Sequence, residues 1–416
     1  MTEILHLKKE VREIAGQLTI AGSKSESNRL LILKKLYAPN IEIQGLSNSR
    51  DTQIMINALN STSEIIDVED AGTAMRFLLA YFAMSSQNVI VLKGSPRMHQ
   101  RPIGILVEVL QKLGAKIEYL GSQNFPPLKI YASQLNADEI EIDSGVSSQF
   151  VSALMMIGPK LPNGLKIKLR GHTVSKPYIN LSAQLMNKMG LAVEIEEEQI
   201  ILKKEKESLL KNISVEADWS SASYWFLMAS LCEKAKIELK GFQKQSLQGD
   251  SVIREIFLKL GVKSTFQDAS LLLEKSETSL PQMLNFKLID SPDLAQTLVV
   301  SMAALGIKGK ISGLQTLKIK ETDRLLALKT ELEKTGAIIG IGDDYLEIEK
   351  GISHLKDIVF ETWSDHRMAM SLASLALYSP ISIKNPEVVN KSYPHFWEDM
   401  KKMGFQFQPN SLGYIN

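Results

Sequence analysis

The 416-residue sequence predicts an α/β fold made of one small subdomain copied several times and arranged as two domains of similar build. Three observations predict it. First, an amphipathic helical pattern runs into a glycine and then an alternating apolar strand at five places, ending at Gly114, Gly190, Gly261, Gly336 and Gly404. Second, these glycines differ in number by 76, 71, 75 and 68. A period of about 70 residues is too long for a solenoid repeat and suits a subdomain mixing strands and helices. Third, the charged stretch 203–211 precedes a short strand pattern at 213–216 and a new capped helix at 217–221, with three units on either side. The sheets are expected outside and the helices packed within.

Each glycine stops its helix by taking the left-handed conformation at little cost. After four of them come a strand, a polar turn and a second strand, as in 193–202 and in 338–348 around Gly342, Asp343 and Asp344. The sixth unit, at the start of the chain, is short. A helical pattern over 51–59 leads through Asn60, Ser61, Thr62 and Ser63 straight into the strand pattern 65–68, leaving no room for a hairpin.

Composition bounds the class of protein. Hydrophobic residues make up 44% and charged residues 23%, the balance of a soluble globular protein. The formal net charge of +1, with no basic stripe or tail, argues against a general nucleic-acid binder. No apolar run approaches the ~18 residues of a membrane span, and no apolar leader follows MTEILHLKKE. The single cysteine, Cys232, excludes a disulfide within the chain and reads as a small buried hydrophobe. A cytoplasmic protein is expected.

The chemistry sits at turns. Residues 22–29, GSKSESNR, join a strand to a helix and place Lys24, Ser25, Ser27 and Arg29 beside free helix N–H groups, a setting for anions. Residues 70–76, DAGTAMR, open an apolar helix with Gly72 and Thr73; Arg97 and Arg101 lie in the proline-bounded loop 94–102. Ser147, Ser148 and Gln149 begin another helix, as do Ser175 and Tyr178 in SKPY. Each of these also has a plain reading as a helix cap or a solvated loop, the commoner use of such residues at DAGTAMR, SSQF and SKPY. Asp293 precedes the apolar helix 298–305. Lys320, Glu321 and Arg324, in KETDR, follow an expected strand over 314–319 and open a helix. Arg367 lies in DHRMAM and Lys391 in NKSYP. Carboxylates beside such cations have their pKa values pushed apart, which suits proton transfer. No GxxxxGK[ST], GxGxxG or HExxH motif is present. The residues alone point to an enzyme acting on a small, multiply anionic substrate.

Taken together and in order, GSKSESNR, DAGTAMR, GSPRMHQRP, SSQF, SKPYI, SPD, KETDR, DHRMAM and NKSYPHF resemble the EPSP synthase family over about residues 14–400. That resemblance implies two domains, 20–215 and 1–19 plus 216–416, each of three βαβαββ units in an inside-out α/β prism, with the active site in the cleft between them. It implies transfer of the enolpyruvyl group of phosphoenolpyruvate to the 5-hydroxyl of shikimate 3-phosphate, through a tetrahedral intermediate. Neither a metal nor an organic cofactor is implied, and the protein is expected to be a monomer without nucleic-acid or membrane partners. By the same resemblance Lys24, Ser25, Arg29, Ser147, Ser148, Gln149, Ser175, Asp293 and Lys320 bind shikimate 3-phosphate, with Tyr178 nearby. Lys24, Gly72, Arg97, Gln149, Arg324, Arg367 and Lys391 bind phosphoenolpyruvate. Asp293 is the implied proton acceptor, Glu321 the acid and Lys24 a catalytic cation.

There are departures from the family pattern. Asp70 stands for the usual Asn, Phe77 for a Pro in many members, Ala21 for a common Pro, and Thr316 for an Asn at the shikimate phosphate. Three other readings compete: a related transferase acting on UDP-N-acetylglucosamine, which uses a loop cysteine, an RNA-end phosphate cyclase, and a non-catalytic anion-binding protein. Cys232, in an apolar helical pattern, fits the first poorly. The missing basic stripe disfavours the second, and Lys24, Asp293 and Glu321 together speak against the third.

Overall fold

The computed structural model describes residues 3–408 apart from Ser86, Val146, His172 and Lys206. The chain forms two compact units. One is Gly22–Val215; the other combines the described residues up to Ala21 with those from Glu216 onward. Among the described residues there are five four-stranded sheets and one two-stranded sheet.

The four-stranded sheets share one plan. Two parallel strands are followed by an antiparallel pair, as in Ile65–Asp67, Ile90–Lys93, Leu128–Tyr131 and Lys116–Tyr119. Parallel neighbours need a crossover, whereas a hairpin needs only a turn; in that sheet helix Gly72–Ser85 lies between the first two strands and helix Gly104–Leu113 before the hairpin. The helices end at the predicted glycines: Gly114, Gly190, Gly261, Gly336 and Gly404 have φ of 113°, 81°, 77°, 75° and 83°. Strands alternate buried and exposed residues, as in Lys234–Lys240. The central helices are apolar all round; every residue of Trp219–Leu231 except Ser220 is buried. A helix of that kind belongs inside, so within each unit the sheets lie outside and the helices within.

The short first unit has the two-stranded sheet. Glu42–Gln44 pairs parallel with Asn212–Ser214, and helix Arg50–Asn60 leads to Ile65–Asp67 with no hairpin between. One sequence expectation is corrected. Residues 314–319 are not a strand: Gly309–Ser312 is the strand, Gly313 turns the chain at φ 80°, and Gln315–Ile319 is a 3-10 turn. Leu314 and Leu317 are buried while Ile319 is 44% exposed. That spacing of three fits the 3-10 period, not the strand period of two.

Candidate active site

In the Gly22–Val215 unit the predicted residues gather at helix starts. Ser23 caps helix Lys24–Tyr37 by accepting from the Glu26 N–H. Lys24 Nζ lies 3.1 Å from Asp51 Oδ2. Arg29, only 2% exposed, is held by neutral groups: Nε donates to Ser182 Oγ (2.7 Å), Nη1 to the Ser25 carbonyl (3.0 Å), and Nη2 to Ser152 Oγ (3.2 Å) and the Tyr178 carbonyl (3.3 Å). Burial lowers its pKa to about 10, against the opposing pull of Tyr178 and Glu26. Its hydrogen bonds go to dipoles and not to a carboxylate, which leaves its charge available to an anion.

Ser147 caps helix Ser148–Ile157, and Gln149 Nε2 donates to Thr73 Oγ1 at 3.1 Å. Ser148 is buried. Ser175 precedes helix Lys176–Lys188 in the left-handed region, at φ 54°, and makes no side-chain cap bond. That conformation costs a non-glycine residue about 1–2 kcal/mol, and such strain gathers at functional sites. Gly72 is explained differently from its sequence reading. A Cβ there would lie 2.6 Å from Arg101 Nη1, so the glycine makes room for a guanidinium of its own chain. Arg97, just before the 3-10 turn Met98–Gln100, bonds Gln100 Oε1 at 3.2 Å.

In the other unit the predicted residues form one connected ionic cluster. Arg324, 2% exposed, meets three carboxylates: Nε to Asp365 Oδ2 at 2.7 Å, Nη1 to Asp293 Oδ1 at 2.9 Å, and Nη2 to Glu321 Oε2 at 3.0 Å. Arg367 Nη2 reaches Asp293 Oδ2 at 3.0 Å. Lys320 Nζ lies 3.8 Å from Asp293 Oδ1 and Lys391 Nζ 4.0 Å from Glu321 Oε1. Local sequence builds this set. Asp323 caps helix Arg324–Glu333 and Asp365 caps helix His366–Ala373, which fixes both arginines in first turns. Burial pushes the Asp293 carboxyl up, but Arg367, Lys320 and Arg324 outweigh it and hold the group well below the usual carboxylate range. Burial disfavours the Arg324 cation, and Asp365, Glu321 and Asp293 more than reverse that, raising its pKa above the ordinary value.

Sequence reasoning missed Asp250, Ser220 and the role of Asp365. Arg367 Nη2 also donates to Ser220 Oγ at 3.3 Å, and Ser220 Oγ donates to Asp250 Oδ2. Asp250 is 5% exposed, and its Oδ1 has no hydrogen-bond partner among the described residues. Burial first, then the Asp293 charge, raises its carboxyl to about 6, with Arg367 and Ser220 pulling the other way. The signal was present in QSLQGD, a polar loop ending in Gly-Asp, and in the polar Ser220 opening an apolar helix. Cys232 is 2% exposed, and burial raises its thiol to about 12, a poor proton donor near neutral pH.

Solved enolpyruvyl transferases share this fold. The enolpyruvyl transferase NikO from Streptomyces tendae matches over 98% of this chain and 99% of its own, with a TM-score of 0.76 at 14% identity. EPSP synthase from Acinetobacter baumannii matches over 98% and 100%, with a TM-score of 0.73 at 20% identity. Those two likenesses are of fold. The sequence narrows the class: the family model for EPSP synthase (3-phosphoshikimate 1-carboxyvinyltransferase) matches residues 8–70 and 60–400. The 3-phosphoshikimate 1-carboxyvinyltransferase of Bacteroides fragilis (strain YCH46) is 44% identical over 396 residues, 94% of this chain and 96% of that protein. That of Mannheimia haemolytica is 32% identical over 428 residues, covering 94% and 98%. This chain belongs to the EPSP synthase family.

Proposed function

We propose that the chain carries out the reaction of its family with the residues described above. It is a carboxyvinyl transferase. The enolpyruvyl group of phosphoenolpyruvate passes to the 5-hydroxyl of shikimate 3-phosphate, and phosphate leaves. The observation that carries the reading is the pair of carboxylates, Asp293 and Glu321, sharing Arg324 with Lys320, Arg367 and Lys391 around them.

In this reading Asp293 takes the hydroxyl proton as oxygen bonds to the central carbon of the enol. Glu321 protonates the methylene carbon, which completes a tetrahedral intermediate. The carbon–oxygen bond to phosphate then breaks and a methyl proton returns to the Glu321 carboxylate, restoring the double bond. Asp293 is a weak base while three cations face it. Anionic substrate groups that engage Arg367 and Lys320 draw that charge away and raise its basicity, so the base strengthens when its substrate arrives. Lys24, Ser25, Arg29, Ser147, Ser148, Gln149 and Ser175 hold shikimate 3-phosphate, and Lys24, Gly72, Arg97, Gln149, Arg324, Arg367 and Lys391 hold phosphoenolpyruvate. Gly72 contributes through its backbone beside Arg101. The same reading takes the enzyme to act as a cytoplasmic monomer without a cofactor.

The test is phosphate release from phosphoenolpyruvate with shikimate 3-phosphate or UDP-N-acetylglucosamine as acceptor. Release with the first alone is expected. Release only with the second would overturn the proposal.

A further inference from the structure

The Arg29 guanidinium stands at the meeting of four helices. It projects from Lys24–Tyr37, bonds Ser152 of Ser148–Ile157, and bonds Ser182 and the Tyr178 carbonyl of Lys176–Lys188. Among the described residues the fourth helix, Gly72–Ser85, gives it no hydrogen bond. It gives the ring of Phe77, whose centroid is 5.2 Å from Arg29 Cζ; the Tyr178 ring centroid is 5.8 Å away. Phe77 is 1% exposed, and Ser152 and Ser182 are fully buried. Ser182 Oγ in turn donates to Ser152 Oγ at 2.8 Å and to the Tyr178 carbonyl at 3.0 Å, so the acceptors are themselves fixed. No carboxylate bonds this guanidinium among the described residues.

We propose that Phe77 is a positioning residue for Arg29: its ring fixes the guanidinium for the shikimate-phosphate ligand from the one helix that supplies no hydrogen bond. A cation beside an aromatic face is attracted by the ring quadrupole, and more strongly when water is excluded. The two rings and the serine pair leave the guanidinium one orientation without neutralising its charge. A carboxylate in the place of Phe77 would fix it equally well, but would compete with the substrate anion. An aliphatic side chain would fill the space and supply no quadrupole. Because this inference rests on the proposed binding of shikimate 3-phosphate, its test includes a readout that needs no substrate.

Phe77→Leu and Phe77→Met remove the ring while keeping an apolar side chain; thermal melts establish that each is folded. Two measurements follow. Exchange of the Arg29 Nε–H with water, read by NMR in the free protein, is expected to quicken about tenfold or more in both variants. Calorimetric affinity for shikimate 3-phosphate is expected to fall by about three- to tenfold, while the Michaelis constant for phosphoenolpyruvate stays within twofold. In a cycle with Arg29→Lys, the Phe77 change should have no further effect on shikimate-phosphate affinity. Unchanged Arg29 exchange, or an undiminished Phe77 effect in the Arg29→Lys background, overturns the inference. If the unaltered protein does not bind shikimate 3-phosphate at all, the proposed function fails, and this role for Phe77 falls with it even when exchange quickens.

Discussion

Two buried arginines, each 2% exposed, are held in opposite ways in the two units. Arg29 is held by two serine hydroxyls and two carbonyls, and burial lowers its pKa to about 10. Arg324 is held by Asp293, Glu321 and Asp365, which raise its pKa above the ordinary value despite burial. The first arrangement keeps a positive charge unspent, as a binding site for an anion requires. The second spends it on holding three carboxylates in place and, together with Arg367 and Lys320, on keeping Asp293 ionised, as the proposed proton acceptor requires. One residue type thus serves recognition or chemistry according to whether its partners carry charge.

The largest expected effect falls on the proposed acid–base pair. Asp293→Asn and Glu321→Gln keep shape and remove the proton chemistry, so turnover should fall by about 10² to 10⁴, or roughly 3 to 5 kcal/mol. Calorimetry should still find at least one substrate bound. Near-normal turnover in either variant would reduce that residue to a charge partner of Arg324.

The contrast between the arginines is tested by truncating each. Arg324→Met strands three carboxylates, and breaking a buried ion pair costs about 3 to 5 kcal/mol. Arg29→Met strands no charge, so its loss in a urea melt should be smaller by at least about 2 kcal/mol. Equal losses would show that the hydroxyl cage binds its cation as tightly as the carboxylates do.

Asp250 gives a pH dependence of opposite sign to its neighbour's. Its folded pKa of about 6 lies above the unfolded value of 3.8, so the folded state binds the extra proton and loses stability as pH rises through that interval. Asp293 is depressed, so its contribution is present above its unfolded value of 3.8 and is lost as pH falls below it. Asp250→Asn removes the first effect and should raise stability at pH 8 by up to roughly 3 kcal/mol, with little gain at pH 4. A gain independent of pH would point to packing, not to charge.

The smallest effect is at Ser175. Ser175→Gly relieves the left-handed backbone and should add about 1 kcal/mol of stability, while loss of the hydroxyl weakens shikimate 3-phosphate binding. Stability and affinity both unchanged would return Ser175 to an ordinary loop position.

Much of this was legible in the sequence because it is local. A left-handed glycine after an apolar helix is written in a few adjacent residues, and so is a helix start that gathers hydroxyls and cations. The five glycines and the missing hairpin after Asn60 were therefore readable. What was not legible depends on partners far away in the chain. Leu317 is three residues from Leu314 and two from Ile319, so the sequence offers both the 3-10 and the strand period, and Gly313 decides between them. Asp250 enters the ionic cluster through Ser220, thirty positions earlier. Gly72 is open to a ligand until Arg101 folds over it. Residue types announced which groups carry chemistry; only packing distinguished Arg29 from Arg324.

The pairing of strand Ile4–Lys8 sets an order of events during synthesis. It lies between Ile381–Lys384 and Gln406–Phe407, and His6 bonds Ser382, 376 positions later. At the ribosome's pace of about 5 to 20 residues per second, that partner follows after about 20 to 75 s. Through that interval Leu5 and Leu7, 1% and 2% exposed in the finished fold, have no sheet to enter. Every sheet within Gly22–Val215 finds its strands inside its own span and can close long before. The nascent chain therefore acquires the proposed anion cradle around Arg29 first and the proposed acid–base cluster last.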